Sequence, residues 1–124
     1  MNIGCDLADR GCEPCRGGVP PLQGAAMESL RRQLDPDWKL IQEHHIERDY
    51  PFKDFRAALA FTNAVGDIAE TEGHHPELVT SWGHVVVRLW THKVDGLTES
   101  DFVLAAKADR AYRAAADSKA QGEL

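Results

Sequence analysis

Glu70-Thr71-Glu72-Gly73-His74-His75-Pro76, followed at some distance by Thr91-His92, gathers three imidazoles and a carboxylate within a short span of the chain. Histidine's unperturbed pKa of about 6.5 lets it give or take a proton near neutral pH, so such a set suits general acid/base chemistry. The same groups also suit metal ligation, and a histidine pair just after a helix is often only a polar exit loop. Which reading holds depends on the elements that place them.

The best helix in the chain precedes the pair. Asp54 is a good N-cap, and Phe55, Ala58, Leu59, Thr62, Val65, Gly66 and Ala69 recur at three- and four-residue spacing, as one buried stripe would. Gly73 suits the left-handed residue that ends many helices, which puts His74 and His75 in the loop just past it. Pro76 biases His75 towards an extended backbone. A hairpin is expected next, with Leu78 to Trp82 and Val85 to Trp90 as arms and the turn near Gly83, so that His92 stands at a strand end. Val85, Val87 and Leu89 share one face; Val86, Arg88 and Trp90 share the other, which is apolar enough to meet a second subunit.

Upstream, Met27, Leu30 and Leu34 have helical spacing, ended by Asp35-Pro36-Asp37. Trp38 and Leu40, then Ile46, Arg48, Tyr50 and Phe52, alternate as the arms of a first hairpin, with His44-His45 as surface histidines in its turn. Thr98 and Asp101 form an S/T-x-x-D variant of the capping box, opening an alanine-rich helix through about Ala116. Helix capping accounts for Asp101 by itself. Glu70, in the last turn of its helix, sits unfavourably against the helix dipole and suits a hydrogen-bonded role. The fold class expected is α+β: a four-stranded antiparallel sheet with three helices packed on one face, in the order α-β-β-α-β-β-α. Residues 1–23 read as a flexible lead with cysteine, glycine and proline, 24–117 as one domain, and 118–124 as a tail.

The chain has 124 residues and a net charge of −6, with 20 acidic against 14 basic residues. Clustered Lys and Arg, needed for nucleic-acid phosphates, are missing, and no segment approaches a membrane span. No secretory signal is readable at the start. The three cysteines, Cys5, Cys12 and Cys15, suit reduced thiols in a cytoplasmic protein. Cys12-x2-Cys15 has no second pair to complete a structural zinc site.

Glu70-x3-His74-His75-Pro76, with Trp82, Thr91-His92, Gly96-Leu97 and Asp101 behind it and Trp38 and Phe52-Lys53-Asp54-Phe55 ahead, resembles the signature of the pterin-4a-carbinolamine dehydratases. The resemblance covers residues 20 to 112. It implies a cofactor-free, metal-free lyase that converts 4a-hydroxytetrahydropterin to quinonoid dihydropterin and water during tetrahydrobiopterin recycling. Carried over by position, it makes His74, His75 and His92 catalytic, His74, His75, Pro76, Thr91, His92, Lys93 and Val94 substrate-binding, and Glu70 and Asp101 supporting acids. It also implies a homodimer or homotetramer and a pterin as the small-molecule partner. The chain departs from the family pattern at Leu78, commonly aromatic, and at Gly73, often Asp or Asn. A non-catalytic module that stabilises another protein's dimer, and a histidine or cysteine metal protein, are the alternatives.

Overall fold

Strict alternation along the fourth strand sets the layers of the molecule. Val85, Val87 and Leu89 are completely buried, while Val86 and Arg88 between them reach the other face. The computed structural model describes residues 7–9 and 21–122. In chain order it contains α1 (Gly24–Arg31), β1 (Lys39–Ile41), β2 (His45–Pro51), α2 (Phe55–Glu72), β3 (Glu77–Ser81), β4 (His84–Leu89) and α3 (Glu99–Gly122). All pairings are antiparallel and the strands lie in the order β1-β2-β4-β3. This is the expected α+β architecture. The inner face of the sheet, with Ile46, Arg48 and Tyr50 from β2 beside the β4 residues, packs under the helices.

Asp54 caps α2 as its sequence suggests, its Oδ1 accepting from the Ala57 N–H at 2.8 Å. The buried stripe of α2 is nevertheless Ala58, Phe61, Val65 and Ala69. Phe55 and Leu59, assigned to that stripe from spacing, are 46% and 43% exposed. A 3.6-residue period allows two overlapping stripes, and the larger Phe61 ring selects the one that meets Tyr50, at 4.6 Å between ring centroids. Phe52, expected in the strand, lies just beyond β2 and packs on the same Phe61 at 5.2 Å.

Four consecutive residues of α3, Phe102 to Ala105, are buried. A helix covered all round its girth lies in the middle of a fold rather than on its surface. Part of that cover is a short 3-10 turn, Leu7–Asp9, whose Leu7 and Ala8 are buried and whose Ala8 carbonyl accepts from Lys107 Nζ at 3.0 Å. The rest of the lead before Pro21, with its three cysteines, lies outside the described residues. The helix continues past Ala116 to Gly122.

Beneath α3 sits a buried ionic cluster. Asp109 accepts from Trp38 Nε1 at 3.0 and 3.1 Å, from Arg48 Nη1 at 2.9 Å and from the Tyr50 hydroxyl at 2.5 Å. One carboxylate thus ties the entry to β1, the middle of β2 and the last long helix together. The open face of the sheet carries charge instead: Arg88 bridges Glu47 at 3.0 Å and Glu77 at 3.4 Å, spanning three strands. No helix among the described residues is long and apolar enough to cross a membrane.

Candidate active site

The end of α2 places the first histidine. Gly73 adopts the left-handed conformation (φ 69°), and the N–H groups of Gly73 and His74 both donate to the Ala69 carbonyl, at 2.9 and 3.2 Å. This tight closure turns the chain inward, so His74 is buried while His75 stays exposed. His74 Nε2 lies 2.6 Å from Asp101 Oδ1.

Asp101 is completely buried and fully engaged. Its second oxygen, Oδ2, accepts from the Thr91 hydroxyl at 2.8 Å and from the Thr98 N–H at 2.9 Å. The contact with the Thr98 N–H is the return arm of the expected capping box. The Thr98 hydroxyl in turn meets Thr91 Oγ1 at 2.9 Å. Asp101 is therefore more than a cap, because one carboxylate opens α3 and holds both His74 and Thr91. A carboxylate accepts only, so His74 presents Nε2–H to it and leaves Nδ1 as a lone-pair site. Any proton His74 takes there is compensated by the charge behind the ring.

His75 has its own carboxylate. Its Nε2 lies 2.7 Å from Glu70 Oε2, five residues back on the exposed flank of α2. This gives Glu70 the hydrogen bond that its position in the last helical turn called for. Both groups are solvent-facing, with 61% and 78% of their side-chain surface exposed, so this pair orients His75 more than it stabilises the fold.

β4 stops at Leu89, earlier than expected, and His92 stands not at a strand end but in the turn beyond it. Thr91 and Gly96 close that turn as an isolated bridge, with Thr91 N–H donating to the Gly96 carbonyl at 2.8 Å. His92 and Lys93 project into solvent and Val94 is half-buried. The His92 ring lies flat on Trp90, 4.5 Å between centroids and 3° between planes. Of the residues singled out in the sequence, the structure thus brings His74, Thr91 and Asp101 into direct contact. Glu70, His75 and Pro76 follow at the helix exit, and His92, Lys93 and Val94 ride on the turn pinned through Thr91.

Asp95 was missed by sequence reasoning, Thr98 was read only as a helix cap and Trp90 only as a subunit-facing residue, and the His44-His45 doublet was set aside. That assignment needs correction. Both rings are half-buried against Trp90, at 5.5 and 5.8 Å, because β2 runs antiparallel to β4 and its first residue meets the tryptophan just past the partner strand. The alternation that put Trp90 on the open face of β4 was the available signal.

The chain before α1 also supports this turn. The Leu22 N–H donates to the Leu97 carbonyl at 2.7 Å, and a Cβ at Gly96 would stand 2.8 Å from Pro21 Cβ. Proline's ring cannot swing aside as a long side chain would. A Gly96→Ala variant is expected to lose about 1–3 kcal/mol of stability in urea denaturation, the usual range for overpacking; an unchanged midpoint would show that the contact yields freely.

Among the described residues, no group of three or more His, Cys, Asp or Glu side chains is arranged to hold a metal ion. A cavity of about 670 Å³ opens elsewhere, between the first half of α2 and the far part of α3, lined by Phe52, Phe61, Ala64 and Tyr112 among others. None of the candidate histidines reaches it. Its walls also include Lys53, Asp54 and Arg56.

Comparison with known proteins bears on the family of the chain. A family described as pterin 4 alpha carbinolamine dehydratase matches residues 20–111. A protein of Rubrobacter xylanophilus that carries the provisional name pterin-4-alpha-carbinolamine dehydratase is 53% identical over 105 residues, covering 85% of this chain and 97% of its own. One of the same provisional name from Alkaliphilus metalliredigens is 50% identical over 105 residues, covering 85% and 95%. The crystal structure of a transcriptional coactivator/pterin dehydratase from Brucella melitensis superposes with a TM-score of 0.70 at 33% identity, covering 74% of this chain and 98% of that one.

Proposed function

We propose, from the premise that this chain belongs to the pterin 4 alpha carbinolamine dehydratase family, that it dehydrates 4a-hydroxytetrahydropterin by histidine general acid/base catalysis. The reaction removes a proton from N5, forms the C4a=N5 double bond and expels the C4a hydroxyl, which leaves as water after protonation. The nitrogen lone pair drives the hydroxyl out, so two well-placed proton-transfer groups suffice. His74, backed by Asp101, is the base that takes the N5 proton at Nδ1. His92 is the acid that protonates the leaving hydroxyl, and His75, held by Glu70, orients the pterin. Pro76, Thr91, Lys93 and Val94 border the substrate.

The observation that carries this reading is the buried Asp101 carboxylate, 2.6 Å from His74 and 2.8 Å from the Thr91 hydroxyl beside His92. It links the two segments that must act on one substrate. The activity serves tetrahydropterin recycling in the cytoplasm. The half-exposed apolar residues of the open sheet face, Val79 and Trp90 among them, suit assembly of the chain into homodimers or homotetramers.

The test is a spectroscopic dehydration assay with 4a-hydroxytetrahydropterin across about pH 5 to 9, where imidazoles titrate. EDTA is expected to leave the rate unchanged, and the rate to show a histidine limb that His92→Ala flattens. Loss of activity in EDTA, restored by a divalent metal, would replace the acid/base reading with a metal one. A pH profile unaltered in His92→Ala would remove His92 from the mechanism.

A further inference from the structure

Around Trp90 the structure assembles three imidazole rings from two separate segments of the chain. His92 stacks on the indole, while His44 and His45 lean on it at tilts of 43° and 55°. The two histidines of the doublet meet edge to face, with their Nδ1 atoms 3.2 Å apart. His44 Nε2 lies 2.8 Å from Asp95 Oδ1, a contact between residues 51 positions apart in the chain.

The Asp95 carboxylate accepts only, so His44 directs Nε2–H to it. His44 Nδ1 faces His45 Nδ1 at 3.2 Å, and His45 Nε2 lies 3.8 Å from Glu47 Oε1. Burial, and next the neighbouring His44, lower the pKa of His45, while Glu47 and Glu77 raise it and Arg88 lowers it further. The doublet is thus aimed at Asp95 through His44.

Asp95 matters for where it stands. It belongs to the same turn as His92, its N–H donating to the His92 carbonyl at 3.2 Å, and it holds a left-handed backbone (φ 52°) that Asp tolerates better than most residues. Fixing the Asp95 side chain therefore fixes the backbone that carries His92. The Gln42 and Glu43 pair at positive φ brings His44 round to make the contact, as in a type I′ turn.

We infer that His44 is a positioning residue for His92. Through Asp95 it clamps the Thr91–Gly96 turn, with Trp90 as the platform that sets the plane of the His92 ring. The inference rests on the assignment of His92 as the acid of the dehydration. His44 and Asp95 are 34% and 87% exposed in their side chains, so the clamp biases the turn rather than locking it.

The test compares His44→Phe, which keeps a ring on Trp90 without the hydrogen bond, with Asp95→Gly, which keeps the backbone conformation without the carboxylate. Each is expected to lower kcat about 5- to 10-fold with KM changed no more than about 2-fold, as small misplacement of a reacting group does. The double variant should be no slower than the slower single one, the mark of two residues acting as a unit. Asp95→Asn, which retains an acceptor, should recover most of the rate. In NMR spectra the ring-current shift that Trp90 imposes on the His92 ring protons should shrink in His44→Phe and Asp95→Gly while the melting temperature stays unchanged. Wild-type kcat in both variants, together with an inactive His92→Ala, would overturn the clamp and leave the catalytic reading standing. A fully active His92→Ala would overturn the acid assignment itself, and the clamp's part in catalysis with it.

Discussion

Replacing His74 by alanine is expected to slow dehydration by about 10²- to 10⁴-fold, the range for one positioned proton-transfer group. The same substitution strips the completely buried Asp101 of the donor at its Oδ1. An unsatisfied buried acceptor costs about 1–3 kcal/mol, so the His74→Ala variant should also unfold at lower urea. The two effects can be separated with His74→Gln, whose amide N–H can reach the carboxylate but cannot take a proton at neutral pH. The glutamine variant should recover most of the stability and none of the rate. Steady-state kinetics and urea denaturation on the same preparations measure both. A glutamine variant that turns over like wild type would show that position 74 serves only the architecture.

Asp109→Ala should be the most destabilising single change away from the site, by about 3 kcal/mol, the lower end for removing one partner of a buried ion pair. The alanine leaves the Arg48 guanidinium, the Trp38 indole N–H and the Tyr50 hydroxyl without their shared acceptor. Arg48 Nε already lacks a partner, although Asp35 and Asp37 at 3.5 and 3.6 Å soften the loss. Burial pushes the Asp109 carboxyl above its ordinary 3.8, against the pull of Tyr50, Trp38 and Arg48. Burial and the same carboxylate also drive the Tyr50 phenol far above its usual range. A folded-state pKa above the unfolded one means that the native protein holds this proton more tightly. The corresponding stability is present below the unfolded value and is lost as pH rises through the folded one. Denaturation of wild type and Asp109→Asn at steps from about pH 3.5 to 6 should therefore show the wild-type advantage shrinking as pH rises. An advantage that grows over that interval would mean the hydrogen bonds outweigh burial.

The order of elements was legible because it rests on local signals. Asp54, Gly73 and the Thr98–Asp101 pair mark helix ends through backbone hydrogen bonds that a few neighbouring residues decide. Alternation in β4 needed only the pleat of a strand, and the matched spacing of Glu70, His74, His75 and His92 needed only the family likeness. What stayed hidden depends on partners distant in sequence. Asp101 read as a cap because its contact with His74 spans 27 positions. Asp109 has partners 59 to 71 positions away and carries no local mark at all. His44-His45 looked like turn polarity because nothing in the first hairpin says that Trp90 will lie beside it. The stripe of α2 was misread for another reason: helical spacing fixes a periodicity, and only the sheet beneath fixes its phase.

Asp101 gives position 101 an unusual standing in the protein's mutational landscape. Because the same side chain starts α3 and backs the proposed base, selection for abundance and selection for turnover converge on one residue, and neither can be relaxed alone. A variant survey scored by expression would class the site as architectural; one scored by dehydration rate would class it with the proposed base. Drift through this position requires both tasks to be reassigned at once, which makes it an evolutionary bottleneck rather than merely an intolerant site.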